Sequence, residues 1–413
     1  MTTSLVPDLV LDARGVRRDV AVEVQGETIA SVRPSGDAPI DAERLAGHAL
    51  VPGFLNDHSH AFQRDLRGRA EDVTGDFWSW RDAMYGLANR LDPDSLYDVS
   101  RRCFAEMVAA GYSRVSEFHY VHHQPDGTPY ADPNAMAKAV VHAAEEVGIR
   151  VTLLLVAYER AGAGAPPGPE QRRFCDPSAG AYLARLEALA AWAEARPGVA
   201  VGAAPHSVRA VSRPWLEAIA GAWTGPVHIH VDEQPREIAA CRDEHGRRPI
   251  ELVDSVGLLG EHTTLVHATH ADRHELDLVA NSGGTVCVCP TTEANLGDGW
   301  VPTQALLDAE VSLTIGSDAN VLIDPCAELR EIELSARRVS QRRGHLPVSN
   351  LLRAGWPSTL GAGEPADLLA VDLAHPTIAG LADQHLAAAL VFGGSPAAVA
   401  CTWVAGREVW RQR

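Results

Sequence analysis

Histidines follow several of the short apolar runs in this chain. His58, His60, His119, His206, His230 and His267 all stand at such points, and a carboxylate, Asp318, closes the run TIGSDAN. His58 and His60 are two residues apart, so on a strand their imidazoles share a face. With His230 and Asp318 they make a nitrogen-and-oxygen donor set that suits one Zn²⁺, and Fe²⁺ less well. A water in the remaining position makes such a site catalytic, because the metal lowers the water pKa from 15.7 toward roughly 7. Lys138 is the only lysine. No carbamylated lysine at a strand end can therefore bridge two metals, and one ion is expected. Glu233 lies three residues beyond His230 in HIHVDEQ, and His267 ends the next run in LVHATH. Glu233 could move protons there, as could Asp318 while touching the metal, and His267 could hold or polarise the bound water. His270 has left its strand, and His228 lies a step deeper, as core. The chemistry these groups support is hydrolytic attack on a trigonal C=N or C=O carbon.

Positioning them requires strands whose ends meet. Eight apolar runs are present: 49–56, 112–118, 150–157, 199–204, 226–230, 263–267, 284–289 and 311–317. Helix-like stretches separate them, some with Asp-Pro starts and Gly stops, as in DPDSLYDVSRRCFAEMVAAG. Apolar strands alternating with helices indicate a parallel sheet buried on both faces. Eight such units predict a (β/α)8 TIM-type barrel over 49–359, a doubly wound sheet being the competing architecture. The strand-rich ends, 1–48 and 360–413, are expected to form a small β-sandwich domain. The Gly/Pro-rich segment 160–176 reads as surface.

Composition agrees with an enzyme-sized globular α/β chain. Of 413 residues, 46% are apolar and 22% charged, which excludes a disordered or fibrous protein. The net charge of −18 argues against binding nucleic acid or an anionic membrane, and no apolar run approaches the roughly 18 residues of a membrane span. Seven scattered cysteines without a CxxC pair point to a reduced, cytoplasmic chain.

The motifs PGFLNDHSH, HIHVDEQ, LVHATH and GSDAN, in this order, resemble those of the amidohydrolase superfamily. Within it, HSHAFQR (58–64), FWSWRDAMY (77–85), SEFHYVHH (116–123), PHSVRAV (205–211) and PTTEANLGDG (290–299) are similar to the N-formimino-L-glutamate deiminase branch. That resemblance implies hydrolysis of N-formimino-L-glutamate to N-formyl-L-glutamate and ammonia in histidine degradation. It implies zinc on His58, His60, His230 and Asp318, and proton transfer by Glu233, His267 and Asp318. It implies substrate contacts from Gln63, Arg81, Tyr120, His206 and Arg209, and a homodimer. An acidic substrate needs local arginines to approach a chain of charge −18, and the guanidinium fork suits carboxylates. Arg81 could serve so, or stack on Trp78 or Trp80. Glu293 or Asn295 could also face the substrate. Rival readings are a deaminase of a guanine-like base, an N-acyl-glutamate amidase, and a non-enzymatic metal-binding barrel.

Overall fold

The computed structural model describes residues 2–69 and 77–412. The described chain opens with β1 (Thr2–Asp12), β2 (Gly15–Arg17), β3 (Val20–Gln25), β4 (Thr28–Pro34) and β5 (Glu43–Pro52). Next come β6 (Phe54–Ser59), β7 (Tyr112–His119), β8 (Arg150–Ala157), β9 (Val199–Pro205), β10 (Val227–Val231), β11 (Thr263–His267), β12 (Thr285–Val288) and β13 (Ser312–Ile315). β14 (Leu368–Asp372), β15 (Val399–Val404) and β16 (Arg407–Arg411) end it.

Strands β6 to β13 pair in chain order, all parallel, as in the expected (β/α)8 barrel. Both faces are covered, which is why their sequences are apolar nearly throughout. The seam between β13 and β6 is closed just above the strands. There the His60 N–H donates to the Asp318 carbonyl (2.9 Å) and the Asp318 N–H to the His58 carbonyl (3.0 Å). The barrel is thus tied shut by the backbone of three of its candidate metal ligands. An amide and hydroxyl network backs this seam. Asn56 Nδ2 donates to Ser317 Oγ (2.6 Å), Ser317 Oγ to Asn320 Oδ1 (2.6 Å), and Asn320 Nδ2 to Ser59 Oγ (3.1 Å).

The helices start and stop where local chemistry dictates. Asp92 accepts the Ser95 N–H (2.8 Å) to cap Pro93–Ala110, and Gly111, at φ 99°, ends it in the left-handed conformation that costs glycine least.

The terminal segments form a separate mixed sheet in which only β1 and β5 pair in parallel. This sheet folds back on itself: Leu5, Val22 and Ile29 of one half meet Leu50, Leu368 and Trp403 of the other in one buried cluster. The expected sandwich is therefore one continuous sheet. Its boundary with the barrel differs from the sequence reading. The run 49–56 is divided at Gly53, so 49–52 belong to β5 and the small sheet. The Gly53 N–H donates to the Asp367 carbonyl (2.9 Å), and a Cβ there would lie 2.5 Å from Ser113 Oγ. The chain can pass between the two units only with glycine at that point. On the other side, Leu386, Leu390 and Val391 of the C-terminal segment join the barrel's apolar cluster.

The segment 160–176 is not simply surface. It contains the 3-10 turn Pro169–Phe174, in which Arg173 is fully buried and donates to the carbonyls of Leu91 (2.9 Å), His123 (2.9 Å) and Ala88. A buried guanidinium with three carbonyl acceptors satisfies backbone that the loop would otherwise strand. Among the described residues, no helix is long and apolar enough to cross a membrane.

Candidate active site

The carboxyl ends of β6, β10 and β13 bring four donors together. His58, His60 and His230 place ligand nitrogens within 4.8 Å of one another. Asp318 Oδ1 lies 3.5 Å from His58 Nε2 and 3.4 Å from His60 Nε2. The backbone decides which nitrogens face inward. His60 Nδ1 is 2.9 Å from the Phe118 carbonyl and His230 Nδ1 is 2.8 Å from the His206 carbonyl. A carbonyl only accepts, so both Nδ1 atoms carry the proton and both Nε2 atoms offer lone pairs to the same space. His230 Nε2 and His58 Nε2 stand 3.1 Å apart. Burial pushes the His58 pKa down to about 3 and also lowers His60 and His230, so neutral imidazoles face one carboxylate. Burial works to raise the Asp318 carboxyl, but the His58 hydrogen bond and the flanking imidazoles outweigh it and hold it low. Converging lone pairs and a carboxylate, with the outer nitrogens of His60 and His230 already committed, fit a divalent cation.

His267 behaves differently. It is 1% exposed, and burial again works against its charge. Yet its Nδ1 lies 3.2 Å from Glu293 Oε1, and its Nε2 lies 3.8 Å from Glu233 Oε1 and 3.9 Å from Asp318 Oδ2. These carboxylates lift its pKa well above the usual value. Glu233 is itself raised, chiefly by burial. A protonated imidazole therefore sits between acids at the edge of the donor cluster. Several backbones here are in the left-handed region without being glycine: Asp232 (φ 51°), His267 (φ 72°), Asp318 (φ 44°) and Asn320 (φ 57°). Such conformations cost on the order of 1–3 kcal/mol each and cluster where side-chain aim matters.

Above the donors opens a cavity. Gln63, Arg81, Tyr120, His206, Arg209, Glu233, His267, His60, His230 and Asp318 all line it; His58 lies beneath. Gln63 Nε2 donates to the Tyr120 hydroxyl (2.8 Å). Arg81 stacks on Trp78, 4.5 Å from the ring centroid, while still bordering the cavity. Arg209 Nη1 is buried without a hydrogen-bond partner, 3.7 Å from Glu237 Oε1. The cavity is thus bipolar, with carboxylates and imidazoles at the floor and guanidiniums on the wall.

Some expectations fail. His119 ends β7 but stands 5.3 Å from His122, ring to ring, beside Arg185 and Arg173, and does not border the cavity. Phe118 and Tyr120 take the inward face instead, as alternation along a strand requires. Glu293 lies behind His267 and Asn295 is exposed, so neither faces a ligand there. His270 Nε2 is tied to the Asp298 carbonyl (2.8 Å). Other residues went unread. Tyr85 and Tyr158 line the cavity, and Gln171 Nε2 donates to both phenol oxygens (3.1 and 2.8 Å). The phenol oxygens are 3.4 Å apart. One O–H can serve that contact, which leaves the other to donate into the cavity. Tyr158 directly follows the last residue of β8, so the strand-end criterion applied to histidines would have found it. Nothing in the sequence marks Gln171.

The sequence profile of the amidohydrolase family matches residues 49–409. This chain belongs to the amidohydrolase family. The amidohydrolase is 39% identical to formimidoylglutamate deiminase of Pseudomonas aeruginosa, across 96% of its own length and 92% of that protein. It is also 31% identical to the 5-methylthioadenosine/S-adenosylhomocysteine deaminase of Halobacterium salinarum, across 89% of this chain and 84% of that one. Among solved structures, an amidohydrolase from Brucella melitensis superposes with a TM-score of 0.89 at 33% identity, covering 98% of this chain and 94% of that one. The amidohydrolase is accordingly a hydrolase of C–N bonds, and its donor cluster matches the metal dependence typical of the family.

Proposed function

We propose that this amidohydrolase converts N-formimino-L-glutamate and water to N-formyl-L-glutamate and ammonia. The bipolar cavity carries the reading: Arg81 and Arg209 face a floor of acids and imidazoles, and Arg209 Nη1 is buried with no partner of its own. The substrate has the matching polarity, two carboxylates at one end and a cationic formimino group at the other. A nucleoside has no use for two guanidiniums on one wall.

His58, His60, His230 and Asp318 would hold one Zn²⁺, ahead of Fe²⁺ given three neutral imidazoles. Bound there, the ion supplies a Lewis acid and a lowered water pKa. The remaining work falls to side chains. Arg81 and Arg209, with Gln63, Tyr120 and His206, anchor the carboxylates and hold the formimino carbon over the floor. Asp318 receives the proton that water loses as its oxygen bonds to that carbon, while the protonated His267, its Nε2 3.9 Å from Asp318 Oδ2, donates an N–H to hold that water in place. Glu233, kept protonatable by burial, pairs with the formimino nitrogen and delivers a proton to it. The C–N bond then breaks, ammonia departs, and the hydroxyl proton passes to the emptied Glu233 carboxylate as the carbonyl of the formyl group forms.

The test is ammonia release from N-formimino-L-glutamate by zinc-loaded protein, with a chelated control and with guanine and 5′-methylthioadenosine as decoys. Chelator-sensitive release from the formimino acid alone is expected. Faster release from either decoy would overturn the substrate assignment, and release of free glutamate would favour an amidase.

A further inference from the structure

Beside the catalytic cavity lies a second hollow, bordered by Trp78, Arg81, Arg209, Arg236 and Glu237 among others. Arg81 and Arg209 border both hollows and form the wall between them. Three guanidiniums gather round one indole: Arg81, Arg236 and Arg209 lie 4.5, 4.7 and 5.8 Å from the Trp78 ring centroid. Cations stacked on a ring face are favourable singly, but like charges round the same ring repel unless anions offset them.

The carboxylates nearby do not suffice. Glu237 lies 3.7 Å from Arg209, beyond hydrogen-bond distance. Glu244 is taken up by Arg160 through contacts of 2.6 and 2.8 Å. Among the described residues, neither Arg81 nor Arg236 is in an ion pair. Arg81 Nε and Arg209 Nη1 are buried without partners. Among the described residues, the cluster thus sets three guanidiniums against the carboxylates of Glu237 and Glu233, with unused N–H donors at Arg81 Nε and Arg209 Nη1 beside an open hollow. Arg236 is its outermost member, exposed on the first turn of the helix Pro235–His245, three residues beyond Glu233.

We propose that Arg236, stacked on Trp78, makes the second hollow an outer capture site for the dicarboxylate substrate, from which Arg81 and Arg209 draw it into the catalytic cavity. The proposal rests on the acidic substrate proposed above. A dianion approaching a chain of net charge −18 meets repulsion nearly everywhere, and a local basic cluster is what raises its encounter rate. Stacking fixes the plane of the Arg236 guanidinium and leaves its edge N–H groups for a carboxylate. This contact is outside the cavity and ends when the substrate moves inward. Arg236 should therefore act on kcat/KM and leave kcat alone.

Arg236→Glu, Arg236→Gln and Arg236→Lys test this by ammonia release from N-formimino-L-glutamate between about 20 and 500 mM salt, with glutarate binding followed by calorimetry. Because steering is screened over a Debye length, Arg236→Glu should lower kcat/KM about tenfold at low salt. Its kcat should not change, and the deficit should vanish at high salt. Arg236→Lys should stay close to wild type, and glutarate should bind more weakly to Arg236→Glu. Equal kcat/KM and equal salt dependence in Arg236→Glu, or a loss confined to kcat, would overturn the capture site. Should the wild-type protein release no ammonia, the proposed function fails by itself. The glutarate titration then decides the capture site: weaker binding to Arg236→Glu sustains it, and unchanged binding overturns it.

Discussion

Glu293 Oε1 stands 3.2 Å from His267 Nδ1. The same oxygen accepts the Cys289 N–H (2.9 Å), so the carboxylate is held from behind by the end of β12. Glu293 thereby fixes the ring of His267 and the proton on Nδ1, and directs Nε2 toward Glu233 and Asp318. It also supplies part of the negative charge that raises the His267 pKa against burial. Outer partners of this kind change activity by about 10–100-fold when replaced. Glu293→Gln should lower kcat within that range, leave KM nearly unchanged, and shift a limb of the pH–kcat profile. A variant with an unchanged pH profile would mean that Glu293 only packs.

The two acids flanking His267 should fail in different ways. Asp318 Oδ1 lies 3.5 and 3.4 Å from the Nε2 atoms of His58 and His60, while Glu233 Oε1 stands 3.8 Å from His267 Nε2 and is not among the clustered donors. Asp318→Asn should lose turnover and also weaken zinc retention through dialysis. Glu233→Gln should retain one zinc per chain while kcat falls by about 10²–10⁴-fold, the range for loss of a proton-transfer group. Metal analysis of both variants, beside their rates, separates the roles. Equal zinc retention by the two would remove Asp318 from the ligand set.

What was legible in the sequence followed from period and position. Buried parallel strands must be apolar, so all eight barrel strands showed, and the histidines and Asp318 at their ends marked one mouth. What stayed hidden depended on contacts between distant segments. Gly53 divides an apolar run only because Ser113 and Asp367 meet it. Arg173 reads as a loop charge until the carbonyls of Ala88, Leu91 and His123 converge on it. His119 misled because a strand end gives height in the barrel, while residue parity gives direction.

Arg209 is positioned for a ligand carboxylate. Its side chain is 12% exposed, Nη1 has no hydrogen-bond partner, and Glu237 stands off at 3.7 Å. Losing a charged hydrogen bond costs about 1.5–3 kcal/mol, or roughly ten- to a hundredfold in affinity. Arg209→Gln should raise KM for N-formimino-L-glutamate by that factor with a smaller change in kcat. Arg209→Lys should recover little, because a point charge does not replace a bidentate fork. A normal KM in Arg209→Gln would remove it from the anchoring set.

Glu117 couples the fold to pH. It is 2% exposed on β7; Oε1 accepts the Ala61 N–H (2.6 Å), and Oε2 has no partner. Burial, opposed by hydrogen bonds from Ala61 and Ser59, pushes its pKa up to about 8 from 4.5. Between those values the folded chain keeps a proton that the unfolded chain has released. Stability then falls as pH rises through this window, by up to about 1.4 kcal/mol per pH unit, and levels off above it. Glu117→Gln retains the acceptor for Ala61 and has no proton to lose. Its melting temperature should gain on wild type steadily from pH 5 to pH 9, with the smallest difference at pH 5. Thermal melts of zinc-loaded protein at pH 5, 7 and 9 check this. A gap that stays constant or narrows would mean that Glu117 is already ionised in the folded chain at pH 5.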